Sequence, residues 1–111
     1  MNNSTNLAAL CGAAHHKTAA AAERRLRNYG GLGYQSYLSM PIIESSDTKY
    51  GATDGRSLFL NPEGLARLTG SKDPVGFLAF LLIHEALHAM LRHVLRCMGF
   101  SDRELANIAC D

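Results

Sequence analysis

His84, Glu85, Ala86, Leu87 and His88 spell an H-E-x-x-H pentapeptide inside a long apolar run. On a helix, residues four apart lie on one face, so imidazoles at His84 and His88 can grip one Zn²⁺. Glu85, between them, is placed to take a proton from a water on that metal. The chemistry such a trio supports is metal-assisted hydrolysis of an amide. Two histidines on a partly buried helix with a surface glutamate give the same spacing, so the surroundings have to decide.

A catalytic zinc takes three protein ligands and keeps one position open. His93 is the nearest candidate, but it lies ~140° round a helix from His88 and ~180° from His84, at about 100° per residue. His93 is therefore expected to support the site rather than ligate. Further on, Ser101-Asp102-Arg103-Glu104 is an S-x-x-E capping box that opens a last helix. Glu104, Asn107 and Asp111 fall at i, i+3 and i+7, on one face of it. A turn at Gly99 lets that helix fold back against the one carrying His84. Glu104 is already accounted for by the capping box, so Asp111 is the expected third ligand, with Glu104 in reserve. His15 and His16, as helical neighbours, point about 100° apart and make poor joint ligands. The glycines of Tyr29 to Gly33 follow no strand, which argues against a phosphate loop.

Positioning the histidines needs a long helix and something to pack it on. Asp73-Pro74 supplies an N-cap and a first-turn proline, and Leu81, Leu82, Leu87, Leu91 and Leu95 supply apolar surface. The helix is expected to reach Met98 with Gly99 as its cap, roughly 25 residues or ~37 Å. Asn61-Pro62 opens a shorter helix that Gly70 closes. Asp54-Gly55 separates Thr48–Thr53 from Arg56–Leu60, which predicts a hairpin with a two-residue type I′ turn. At a sheet edge, the Arg56–Leu60 arm could pair with an extended peptide. Tyr34 to Ile43 reads as a short helix end and then a strand. Leu7 to Asn28 is Ala-rich and broken only by Gly12, so one or two thin helices are expected, preceded by a disordered stretch over residues 1–6. Tyr34, Tyr37 and Tyr50 are candidate hydrogen-bond donors to an oxyanion, and no spacing selects among them.

The chain of 111 residues suits a single α+β domain over residues 1–111. A net charge of +1, from 11 basic and 10 acidic residues, gives no field that would draw nucleic acid or an anionic membrane. Three irregularly spaced cysteines suit a reducing compartment better than a disulfide framework. No basic segment precedes an apolar one at the N-terminus, and Val75 to Ile83 is too short to span a bilayer. A cytoplasmic protein is expected.

Three blocks together resemble a known family. Ala52-Thr53-Asp54-Gly55-Arg56-Ser57-Leu58-Phe59-Leu60-Asn61-Pro62 is similar to the "TDG…NP" element of a family of bacterial and phage metallopeptidases. His84 to His93, with Leu95-Arg96 and then Asn107-Ile108-Ala109-Cys110-Asp111, resembles that family's "HExLHxxLxHxxR…WNIAxD" signature. The similarity covers roughly residues 34–111, with Ala106 where the family usually has an aromatic residue. It is to the N-terminal domain of that family, which continues beyond the position of Asp111. The resemblance implies a zincin-like fold: an active-site helix and a return helix packed on a small sheet that includes a hairpin. It also implies His84, His88 and Asp111 at Zn²⁺, Glu85 as general base, and Arg96 and Asn107 orienting the site. A von Willebrand A-like partner domain commonly follows in that family.

The expected function is zinc-dependent hydrolysis in a peptide or protein substrate. Two alternatives stand beside it. One is a non-catalytic zinc-binding or regulatory module that needs a partner domain. The other is a metal-free helical interaction domain.

Overall fold

The computed structural model describes residues 3–29, 31–99 and 101. Its elements are α1 (Asn3–Cys11), a 3₁₀ turn (Ala13–His15), α2 (His16–Tyr29), α3 (Gly31–Ser39), β1 (Ile42–Glu44), β2 (Gly51–Thr53), β3 (Leu58–Leu60), α4 (Pro62–Thr69) and α5 (Pro74–Cys97). The class is α+β, with one three-stranded sheet among the described residues. The first helix starts at Asn3 rather than Leu7, and the Ala-rich stretch is split at Gly12.

The 24-residue helix α5 is the axis of the molecule. Asp73 accepts a hydrogen bond from the Gly76 N–H at 3.1 Å, and Pro74 occupies the first turn, where no N–H is needed. At the other end the Met98 N–H reaches the Val94 and Leu95 carbonyls, both at 3.1 Å. Gly99 then turns the chain away at φ +96°, which a residue without Cβ adopts freely. Leu78, Leu82, Ala86 and Ala89 repeat at helical spacing and face the core, where α2, α3, α4 and β2 pack against them. By length and composition α5 would also pass as a membrane span. Here its buried stripe is the centre of the protein core.

Small residues set how closely the N-terminal helices approach it. Ala19, Ala22 and Leu26 form the buried stripe of α2, and Leu7 of α1 is fully enclosed. Tyr37 of α3 is buried too, and its hydroxyl donates to Glu23 Oε2 at 2.6 Å, tying α3 to α2. Burial pushes the Glu23 carboxyl above its ordinary value, and the hydrogen bond from Tyr37 offsets part of that rise. Tyr37 is thus committed to the core and is no donor to a substrate.

The sheet order is β1-β3-β2. β1 runs parallel to β3, pairing Ile42 with Leu58 and Glu44 with Leu60. β2 runs antiparallel to β3, pairing Gly51 with Leu60 and Thr53 with Leu58. Two expectations change. The hairpin exists, but four residues, 54–57, connect its strands, and the turn is not type I′. That type needs positive φ at both central residues, whereas Gly55 has φ +91° and Asp54 does not share it. Side chains build the turn instead. Asp54 Oδ1 accepts from the N–H groups of Arg56 at 2.8 Å and Ser57 at 2.9 Å. Thr53 Oγ1 accepts from the Gly55 N–H at 3.0 Å and donates to the Ser57 carbonyl at 2.7 Å. The second change concerns Leu58–Leu60, which is the central strand and not an edge. β1 covers one side of it and β2 the other, so β1 and β2 are the two edge strands, and β2 packs on α5. Leu58 and Leu60 are fully buried, so β3 belongs to the core.

Candidate metal centre

His84, Glu85 and His88 lie in the middle third of α5, one turn apart as their spacing requires. The two rings meet nitrogen to nitrogen: His84 Nε2 and His88 Nε2 are 3.2 Å apart. Their ring centroids are 4.5 Å apart and the planes cross at 77°. A direct hydrogen bond between neutral tautomers accounts for this distance. So does a shared tetrahedral ion, because nitrogens each about 2.0–2.1 Å from zinc lie about 3.3 Å from one another. The pair therefore already has the bite of one edge of a zinc tetrahedron. Both rings open onto a hollow of about 190 Å³ that Leu87 and Leu91 also line, so space adjoins the two nitrogens.

The His84 ring is also held from the opposite side. Phe80, one turn earlier, stacks on it with centroids 5.8 Å apart and planes inclined by 27°. Phe80 was not singled out from the sequence, although its i−4 spacing from His84 was the available signal. Glu85 is 4% exposed, at the boundary between the core stripe of α5 and the histidine face. A side chain so enclosed is shielded from solvent, which strengthens its electrostatic interactions.

The remaining candidates disperse. His93 is exposed on another side of α5, and its Nε2 lies 3.8 Å from Cys97 Sγ. Arg96 Nη2 donates to the Asp54 carbonyl at 3.2 Å, docking the β2–β3 turn against α5. Gly55 is required there: a Cβ would sit 3.0 Å from Arg96 Nη1 and 3.4 Å from Arg92 Cβ. Slight burial raises the Asp54 carboxyl, but the Arg56 and Ser57 N–H bonds outweigh it and hold the group below its ordinary value. Arg92, one turn past His88, was also missed from the sequence. Its Nε is buried beneath the same turn and has no hydrogen-bond partner among the described residues. Glu104, Asn107 and Asp111 lie outside the described residues. Among the described residues no three His, Cys, Asp or Glu side chains gather as a metal-holding group, and His15 and His16 join none.

A larger cavity of about 580 Å³ opens on the other side of His84. The end of α4, the segment before β2 and the first half of α5 enclose it, and Tyr50 is on its wall. Of the three tyrosines raised by the sequence, Tyr50 lines this cavity together with His84.

Residues 14–111 match a protein family described as "Putative metallopeptidase domain". The chain belongs to this family. Among curated proteins and among solved structures there is no match. The family match runs from Ala14, within the 3₁₀ turn, through α5, so the helices and strands nearest the histidine pair lie within it and α1 precedes it. Membership in a metallopeptidase family implies a metal cofactor and a peptide or protein substrate. In this member the two imidazoles of His84 and His88 are candidate donors for such a metal.

Proposed function

We propose that this domain is a zinc-dependent peptidase of zincin-like architecture, acting in the cytoplasm. The observation that carries the reading is the pair of imidazole nitrogens 3.2 Å apart, next to a glutamate only 4% exposed and between two hollows. His84 and His88 would hold the ion. Asp111 would be the third ligand, with Glu104 in reserve and Asn107 and His93 in supporting roles.

Chain length supports Asp111. Met98, the cap of α5, is ten residues beyond His88, and Asp111 is ten beyond Ser101, so a helix returning from Ser101 would cover an equal length. A helix rising ~1.5 Å per residue covers about 15 Å in each case, which would bring Asp111 level with His88. Leu87, Leu91, Val94 and Met98 leave 42–68% of their surface exposed along that length of α5. Leu105 and Ile108, three apart, are the apolar pair a returning helix would lay on them.

When bound, zinc would polarise the attacking water and the scissile carbonyl. Glu85 would accept the water's proton as it attacks the carbonyl carbon and hand it to the leaving amine. Its enclosed position keeps bulk water from competing for that proton. Phe80 would hold the His84 ring in its ligating orientation by stacking. Arg96, by fastening the turn at Asp54, would fix β2 over α5, and β2 as edge strand would receive an extended peptide by main-chain pairing.

A second reading has one observation in its favour: among the described residues no third metal-ligating side chain joins His84 and His88. It is a zinc-binding module without turnover. Metal analysis and cleavage assays on tag-free protein separate the two. One equivalent of zinc is expected in the wild type, lost in His84→Ala and His88→Ala, weakened in Asp111→Ala and kept in Glu85→Gln. Peptide cleavage should fall by about 10²- to 10⁴-fold in Glu85→Gln, the usual worth of a general base. No zinc in the wild type sinks both readings, and zinc without cleavage above the Glu85→Gln level leaves only the second.

A further inference from the structure

We infer that the 580 Å³ cavity beside His84 is a substrate subsite that takes a bulky apolar side chain and refuses a basic one. This rests on the peptidase reading and gives it a substrate class.

The cavity's position ties it to the chemistry. His84 forms part of its wall, and the Phe80 ring stacked on His84 forms the adjoining part. A side chain lodged there lies directly beside a proposed metal ligand, so it must belong to a residue next to the bond under attack. The lining explains what fits. Leu68 at the end of α4, Tyr50 before β2, and Phe77, Phe80 and Leu81 on α5 present carbon almost throughout. Phe77 and Phe80 remain 50% and 66% exposed on this face, an unusual concession for two aromatic rings one turn apart. Covering them with an apolar group removes that surface from water. The volume is within the usual ~300–1,000 Å³ of ligand sites and accommodates an aromatic or a large aliphatic side chain.

Charge settles what is refused. Lys49 and Arg67 both line the cavity, and among the described residues no aspartate or glutamate does. A lysine or arginine side chain entering it would lose water, meet two like charges and find no acidic partner. The two aliphatic hydroxyls in the lining donate locally, Thr48 Oγ1 to the Gly51 carbonyl and Ser71 Oγ to the Leu68 carbonyl, so neither is aimed at selecting a small polar side chain. Bulk and absence of positive charge are therefore the selected features.

Two measurements on the full chain test this. Blocked tripeptides with central Phe, Leu, Ala or Lys are titrated into the wild type and Glu85→Gln, following backbone amide shifts. The Phe and Leu peptides should bind at least about tenfold tighter than the Ala peptide and perturb Leu68, Tyr50 and Leu81, with Lys weakest. Phe77→Ala should cut affinity for the Phe peptide about tenfold. Arg67→Glu, an exposed change that spares the core, should admit the Lys peptide. The same series as substrates should rank kcat/KM in the same order. Selective binding by both proteins with no cleavage by the wild type would refute the peptidase while upholding the pocket's preference. Cleavage with no preference among the four, or shifts that avoid the cavity, would overturn the subsite while leaving the peptidase. Dimerisation through this face, abolished by Phe80→Ala and unaffected by peptide, would overturn it as well.

Discussion

Alanine at Gly64 and alanine at Gly33 should move stability in opposite directions. Both glycines lie inside helices, α4 and α3, and by intrinsic propensity either change stabilises its helix by roughly 0.8–1 kcal/mol. At Gly33 an added Cβ meets nothing within 4 Å and the backbone φ is not positive, so that gain should be realised. At Gly64, which is buried, the Cβ would drive into the Lys49 carbonyl oxygen and sit 2.9 Å from Tyr50 Cα. Both are backbone atoms, so no rotamer change relieves the clash. Their segment is also pinned: Asn61 Nδ2 donates to the Thr48 carbonyl at 2.8 Å and the Asn61 N–H to the Tyr50 carbonyl at 3.0 Å. Overpacking against a fixed backbone belongs at the upper end of its usual range, about 3 kcal/mol. Subtracting about 1 kcal/mol of propensity leaves a net loss of about 2 kcal/mol. For a domain of this size, ~1 kcal/mol shifts Tm by roughly 4–8 °C. Thermal melts followed by far-UV circular dichroism should therefore show Gly64→Ala down by roughly 8–16 °C and Gly33→Ala up by roughly 3–8 °C. Because Lys49 and Tyr50 also wall the cavity beside His84, Gly64→Ala should weaken binding of the Phe tripeptide. A Tm for Gly64→Ala at or above wild type would refute the close packing of α4 on residues 49–50, and with it the shape assigned to that wall.

Three further outcomes follow from the described contacts. Tyr37→Phe removes a 2.6 Å hydrogen bond from Glu23, whose folded-state carboxyl is raised by burial. A raised carboxyl adds stability below its unfolded value and loses it as pH rises through the folded one, and the hydroxyl offsets part of that loss. The variant should thus lose about 1.5–3 kcal/mol near pH 7 and less near pH 4, by denaturant melts; a pH-independent loss would remove Glu23 as the partner. Burial, with a smaller contribution from Glu23, pushes the Cys11 thiol up to about 11, whereas Cys97 is exposed. In a Cys110→Ser background, a thiol reagent at neutral pH should label Cys97 at once and Cys11 only on unfolding, and equal rates would contradict the packing of α1. Zinc at a hundredfold its Kd should stabilise by about 2.7 kcal/mol, raising Tm by roughly 10–20 °C. Calorimetry should find no such shift in His84→Ala; a shift that persists there places the ion elsewhere.

The candidate site was legible wherever it depended on residues within a turn or two of each other. Two histidines four apart share a helix face whatever surrounds them, and His93, five further on, does not. Asp73-Pro74 and Gly99 act through their own backbone, so the limits of α5 came within a residue of those expected. The rest required partners distant along the chain. Asp54-Gly55 reads as a two-residue turn until the Thr53 and Asp54 side chains are seen bonding its amides and Arg96, 42 residues away, is seen holding the Asp54 carbonyl. The Arg56–Leu60 arm resembles an edge strand until Ile42–Glu44 pairs with it in parallel. Tyr37 could have served a substrate until α2 offered Glu23 to its hydroxyl.

The sequence by itself thus determined a helix, its caps and a two-histidine face, because backbone periodicity and capping are short-range and nearly independent of context. Only the tertiary structure decided that β3 is the central strand, that Tyr50 lines a cavity with His84, and that this cavity is apolar. Those depend on which surfaces of α4, β2 and α5 exclude water together, and that competition is settled by the packing of the whole chain.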